Sequence, residues 1–343
     1  MRRTATVLVA VALATTACAG TDPADEATAA STAGVADAAG SFPVTIAHTH
    51  GETSIESRPE RVVTVGLRDA DAALALGVTP VGIKDWFGEQ PHAVWPWAQD
   101  ELGEAEPTVL DPAETDLEVV ASLEPDVIIG VDSGLTEDDF ALLSEIAPTV
   151  AQPSEYPDFA VPWRERTLLV ARALGEVEQA ESLIADVESQ VQDAAAAHPE
   201  FADATALVGL AASDGQAYAY GAEDVRSRFL VDLGFQVPEA ITEQVPADSF
   251  FVTLSQERFG DLEADVLLWV GGEASAFEDV TSVATYPATV AEEGRDLFLP
   301  YDPIGGAMSF ASVLSLPFLV EHLVPELALA LDGDPATASD LGR

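Results

Sequence analysis

Cysteine is almost missing from this chain: Cys18 is the only one in 343 residues. No internal disulfide can form, and one thiol cannot build a cysteine-type zinc site or an iron–sulfur cluster. Positive charge is nearly as scarce. Lys and Arg number 14 against 60 Asp and Glu, a formal net charge of −46, and Lys84 is the sole lysine. Phosphate backbones need a basic face, so nucleic acid is excluded as a partner. The surface must instead be strongly hydrated. A few Arg sheltered in a cleft can still select an anion, because local geometry outweighs screened, distant charge.

Catalytic and nucleotide motifs are missing too. No GxGxxG follows the first strand, and there is no GxxxxGK[ST] loop, GxSxG elbow or HExxH pair. The five histidines stand at 48, 50, 92, 198 and 322, none placed as a base. His48 and His50, two apart on an expected hairpin, share a strand face, either as a metal pair or as surface histidines. Carboxylates are too abundant for any Asp/Glu pair to be informative. The expectation is a protein that is not an enzyme, with no cofactor and no metal site of its own.

Long apolar runs are absent. Thr4 to Ala14 is too short to cross a bilayer. With Arg2 and Arg3 before it and Thr15-Thr16-Ala17-Cys18 after it, it reads as a secretory signal over 1–17. Cys18 after small residues resembles a lipobox, in which the Cys becomes the first mature residue and carries lipid. Thr15 stands where that motif has an aliphatic residue, and an ordinary cleaved signal is the alternative. Residues 18–41 are small and polar, a disordered tether. The body that follows is expected to be soluble and held at the outer face of the cytoplasmic membrane.

What is present is a long amphipathic stretch near the middle. Between 161 and 198, Leu168, Leu169, Leu174, Val177, Ala180, Leu183, Ile184, Val187 and Val191 recur at steps of mostly three and four residues. That spacing predicts a helix with one apolar face, and Gly175 marks a kink or a join. It reads as a stiff bar between an N-terminal lobe (42–160) and a C-terminal lobe (199–343).

Both lobes alternate strand and helix patterns. Short apolar runs at 62–66, 78–83, 125–130 and 149–151 alternate with helical segments at 69–76, 117–123 and 135–146, preceded by a hairpin at 42–57. After the bar come strands at 204–211, 216–220, 264–270 and 297–299 with helices at 225–233, 255–262 and 314–331. This implies α/β architecture: two doubly wound lobes on one long rigid helix, with a ligand cleft between them. The halves also echo each other: Leu123-Glu124-Pro125-Asp126-Val127 matches Leu262-Glu263-Ala264-Asp265-Val266.

In such sheets ligands bind beyond the carboxyl ends of strands. Those ends offer Arg68, Lys84, Trp86, Phe87 and Tyr156 in the first lobe. The second offers Ser213, Asp214, Tyr218, Tyr220, Arg226, Arg228, Trp269 and Tyr301. Arg226 and Arg228 open a helix, where backbone N–H groups also favour an anion. Pairing with Asp224 or Glu223 is the competing expectation for one of them.

Together, RPERVVTVGLRDADAALALGVTPVGI, LEVVASLEPDVIIG, the central helix and LSQERFGDLEADVLLWV resemble the periplasmic-binding-protein family of ferric-siderophore and cobalamin ABC importers. The resemblance runs from about Phe42 to Leu331. It implies a rigid two-lobed receptor whose cleft Arg, Tyr and Trp hold a chelate, iron staying wrapped by the siderophore. It also implies docking on the permease through one carboxylate per lobe; by motif these fall on Asp71 and Glu257. The implied partners are an ABC permease, an iron-siderophore ligand and, through Cys18, the membrane; the chain is expected to be a monomer. Cobalamin, haem or a bare metal ion on the same fold, or a surface-anchored α/β hydrolase, are the rival readings.

Overall fold

β-Branched and leucine-rich runs bounded by turn residues become the strands of two five-stranded sheets. The computed structural model describes residues 40–212, 215–247, 249–272, 274–334 and 341. Cys18, the signal segment, nearly all of the tether, Ser213 and Asp214 lie outside them.

A hairpin of β1 (Val44–His48) and β2 (Gly51–Ile55) precedes the first lobe. Next come β3 (Val62–Thr64), α1 (Asp69–Ala75), β4 (Gly82–Lys84), α2 (Gln99–Leu102) and β5 (Thr108–Leu110). α3 (Leu117–Ser122), β6 (Val127–Gly130), α4 (Glu137–Ser144) and β7 (Thr149–Ala151) complete it. The sheet order is β5-β4-β3-β6-β7, and every pairing is parallel. The chain winds outward from β3 and then jumps to its other side, so the crevice opens between the ends of β3 and β6.

Two central helices follow, α5 (Trp163–Leu174) and α6 (Val177–Ala197). The expected single rod is therefore corrected. Gly175 sits in the left-handed region at φ 77° and closes α5, and the chain folds back. Arg164 near the start of α5 pairs with Glu188 in the middle of α6, as two antiparallel helices require. Trp163 packs in the core of the second lobe, while Leu169, Val170 and Leu174 pack in that of the first. α6 makes the return journey, from Ala180 in the first core to Ile184, Val187 and Val191 in the second. The bar is thus a helical hairpin spanning both lobes. At 21 residues, α6 is roughly 31 Å long.

The second lobe contains β8 (Ala206–Ala211), β9 (Ala217–Tyr220), α7 (Val225–Asp232), α8 (Glu239–Thr242), β10 (Phe251–Leu254) and β11 (Val266–Val270). α9 (Ala274–Thr281), α10 (Ala288–Glu292), β12 (Asp296–Leu299), α11 (Pro303–Phe310), α12 (Ser315–His322) and α13 (Val324–Leu331) follow. Its order is β10-β9-β8-β11-β12. β8, β11 and β12 are mutually parallel, and β9 runs antiparallel to both its neighbours, β8 and β10. Only five residues separate β8 from β9, too few for a crossover, so a hairpin is the only connection available.

The sequence echo is a structural one. β6 lies beside β3, and β11 lies beside β8. Asp126 accepts from the N–H groups of Glu60 and Arg61 just before β3, at 2.8 and 2.9 Å. Asp265 accepts from Thr205 N and Oγ1 just before β8, both at 2.8 Å. One carboxylate staples the entry of the neighbouring strand in each lobe.

Candidate functional site

The carboxyl ends of β3 and β6 are tied together by one carboxylate. Asp69, opening α1, accepts from Val131 N at 2.8 Å and Asp132 N at 3.3 Å. Its other oxygen has no partner among the described residues. Gly66 is needed there: a Cβ would lie 2.0 Å from the Asp69 carboxylate. Burial, then the nearby Asp132 charge, pushes the Asp69 carboxyl up to about 7.

Beside it Arg68 grips Asp132 with two N–H groups, one at 2.8 Å, and donates to Phe159 O at 2.7 Å. Arg68 is 3% exposed and Asp132 0%. Arg68 is therefore corrected from a ligand contact to a tie between strand ends; its guanidinium lies 5.8 Å from the centre of the Trp86 ring.

Arg166 of α5, which sequence reasoning missed, lies buried nearby. Its Nη2 donates to the carbonyls of Phe310 and Ala311 at 3.3 and 3.0 Å. Burial, then the Arg68 charge, lowers its guanidinium to about 10, against the pull of Asp132, Asp69 and Asp71. Asp71 accepts from Trp97 Nε1 at 2.9 Å and from Ser312 Oγ. At 3% exposure it cannot meet a permease, so the docking role assigned to it is corrected. It instead latches α1 of the first lobe to the α11–α12 turn of the second.

Around this base the lobes meet through aromatic rings. Phe87 of the first lobe lies 4.6 Å from Tyr301 of the second, and Trp86 lies 5.5 Å from Phe310. Trp95 stacks on Trp97 at 5.0 Å, and Phe310 packs against both. Three of the five Trp fall between 86 and 97, a clustering legible in the sequence but passed over for Trp95 and Trp97. Trp86 and Phe87 are half-buried and Tyr301 is exposed, so all three can meet a solute.

Lys84 ends β4 and donates to Thr115 Oγ1 at 3.3 Å. Burial lowers its ammonium's pKa, while Asp111 and Asp139 oppose the shift. It lines a hollow of about 310 Å³ with Glu114, Ser133, Gly134 and Asp139. Across the seam, Arg226 is held by both oxygens of Asp224, at 2.7 and 2.8 Å. Its guanidinium lies 3.7 Å from the centre of the Tyr220 ring. Burial opposes its charge and Asp224 overcomes that, holding it above the ordinary range. Arg228 pairs with Glu223, so both Arg of α7 are paired rather than one. Tyr156, half-buried at the rim of the first lobe, lies close enough to feel the Arg228 charge.

Two further assignments are corrected. Trp269 is fully buried and donates to Tyr286 Oη at 3.1 Å, so it is core. Tyr220 is 4% exposed and belongs to the same core as Phe229 and Val270, supporting Arg226 from beneath. Both lie on interior strands, where period-two patterning does not separate a rim ring from a core ring. His48 and His50 tie the hairpin down instead of facing outward as a free pair. His48 Nε2 meets Thr53 Oγ1 at 2.9 Å, and His50 Nε2 meets Leu135 O at 2.8 Å.

Glu257 is exposed at the start of the 3-10 turn before β11 and lines an open depression. The repeat supplies its counterpart. Glu257 stands eight residues before Asp265, and Glu118 stands eight before Asp126. Glu118 is exposed in the first turn of α3 and lines an open depression of its own. That register is already present in the sequence.

Comparison with known proteins gives concordant matches. Residues 62–288 match a family described as periplasmic binding protein. The probable siderophore-binding lipoprotein YfiY of Bacillus subtilis (strain 168) is 30% identical over 233 residues, 66% of this chain and 68% of that protein. A periplasmic solute binding protein from Mycobacterium smegmatis str. MC2 155 superposes with TM-score 0.74 at 34% identity, over 84% of this chain and 98% of the other. PiaA of Streptococcus pneumoniae TIGR4, in complex with ferrichrome, superposes with TM-score 0.75 at 26% identity, over 85% and 99%.

Proposed function

The chain belongs to the periplasmic binding protein family, and from that premise we propose that it is the substrate-binding lipoprotein of an ABC importer, taking an iron(III)-siderophore complex at the seam between its lobes and delivering it to the permease. The observation that carries this reading is the aromatic seam. Trp86, Phe87 and Tyr301 gather from opposite lobes at the strand ends. Flat rings suit the apolar faces of a chelate, and the strand ends of the two sheets present them from either side. A siderophore-binding lipoprotein and a ferrichrome-bound structure among the relatives support the same cargo.

Iron is cargo here, already coordinated by its chelator, so no protein ligand set is required. Trp86 and Tyr301 are assigned to the faces of the chelate, with Lys84, Tyr156, Arg226 and Arg228 at its rim. Glu118 and Glu257, one per lobe, are assigned to the permease. Cys18 is assigned to the lipid anchor, which keeps the protein at the outer membrane face.

Titration of the intact mature protein with ferric siderophores tests this. Binding should quench tryptophan fluorescence at micromolar or lower concentration. Trp86→Ala should weaken it by about 10-fold or more, the loss of one aromatic face. Response to cobalamin or haem alone, with none to any ferric siderophore, would overturn the cargo.

A further inference from the structure

Three arginines at the seam are already paired with carboxylates of the same chain, and a fourth, Arg166, is fully buried and bonded only to the carbonyls of Phe310 and Ala311, its Nη1 without a partner among the described residues. Arg68 holds Asp132, Arg226 holds Asp224 and Arg228 holds Glu223. Asp132 and Asp224 are themselves buried, at 0% and 2% exposure, so neither can swing away into water and leave its arginine free. Beneath them, Arg166 lies among Asp69, Asp71 and Asp132. Lys84 has no ion pair among the described residues, but Glu114 and Asp139 line its hollow. Asp85 follows it in the chain, and Asp302 follows Tyr301. The seam therefore offers rings and neutralised pairs inside a chain of net charge −46.

Charge separates the ferric chelates. Three singly charged hydroxamates neutralise iron(III). Three doubly charged catecholates leave a trianion, and citrate-type chelates are also anionic. A buried anion needs an unpaired cation or several donors; placed among carboxylates it loses hydration without compensation. We propose that this seam selects ferric chelates of zero or positive net charge, of the trishydroxamate kind, and rejects tricatecholate and citrate-type anions. This rests on the siderophore-binding reading above and names the class of cargo within it.

The experiment uses the mature protein and three probes: ferric desferrioxamine B, a cation; ferrichrome, neutral; and ferric enterobactin, a trianion. Dissociation constants are read from tryptophan quenching at low and high salt. The cation and the neutral chelate should bind at least about 100-fold more tightly than the trianion, the scale of like-charge juxtaposition at an interface. Added salt should weaken the cation, leave the neutral chelate unchanged and narrow the gap to the trianion. Asp224→Asn keeps an amide cap for α7 but releases Arg226, and Glu223→Gln releases Arg228 from an exposed partner. At least one of these variants should narrow the gap about 10-fold. A trianion that binds as tightly as the others overturns the charge selection and leaves the siderophore reading standing. A wild-type gap that neither variant narrows overturns the arginine pairing as its cause. Silence with all three chelates overturns the siderophore reading itself.

Discussion

Asp69 shows how much of a residue's chemistry is set by its neighbours. Read in sequence it is one acid among 60. In the fold it is fully buried, facing Asp132 and Arg166, with its carboxyl at about 7 instead of the ordinary 3.8. The native protein thus holds a proton that the unfolded chain has released between those values. By linkage, Asp69 contributes stability below pH about 4 that is lost as pH rises through 7. Replacing it with Asn should flatten this slope. From pH 5 to pH 8 the denaturant midpoint of the wild type should fall by the equivalent of about 2 kcal/mol or more beyond any fall seen in Asp69→Asn. Parallel profiles would remove Asp69 as the titrating group. Arg68 carries a related lesson. Its residue type suggested an anion site, and its position at a strand end was read correctly. Its partner Asp132, 64 residues away, was not legible, because nothing local links the two.

At the scale of elements, Gly175 decides the shape of the centre. Amphipathic spacing continues almost unbroken through it, so periodicity alone gave one bar. Its positive φ ends α5, and a Cβ there would lie 2.7 Å from the Phe42 ring. Gly175→Ala should cost about 1–2 kcal/mol through backbone strain and that contact. Thermal unfolding should show a midpoint lower by a few degrees with far-UV circular dichroism preserved. An unchanged midpoint would mean the turn tolerates a side chain. The parallel strands of the first lobe were legible because doubly buried runs such as Val127-Ile128-Ile129 are continuous and apolar. β5 and β10 lie at sheet edges and are half-exposed, so their mixed composition carried no comparable signal.

At the scale of the whole molecule, one parallel and one mixed five-stranded sheet pack against one helical hairpin. In the proposed reading the rings of the seam serve the cargo; Glu118 and Glu257 are exposed in equivalent registers of the two lobes. The double variant Glu118→Lys with Glu257→Lys should bind the ferric chelate as the wild type does and abolish its uptake. Cells expressing the variant, fed radioactive iron as the preferred chelate, report this directly, and normal accumulation would sink the docking assignment. Under the docking assignment the reversal of charge supplies the reason, since opposite charges at a rim set encounter and register while like charges prevent them.

Pattern and composition alone were enough for the α/β class, the two-lobed division, the internal echo and the family resemblance. Each of these rests on short-range patterning, composition or spacing, which folding does not alter. Tertiary structure alone decided which strand-end residues face solvent. It buried Asp71, Trp269, Tyr220 and Arg68 and left Trp86, Tyr301 and Glu257 accessible. It also decided the electrostatics. The pairing of Arg68 with Asp132 depends on two loops meeting in space, and no local pattern records such a meeting.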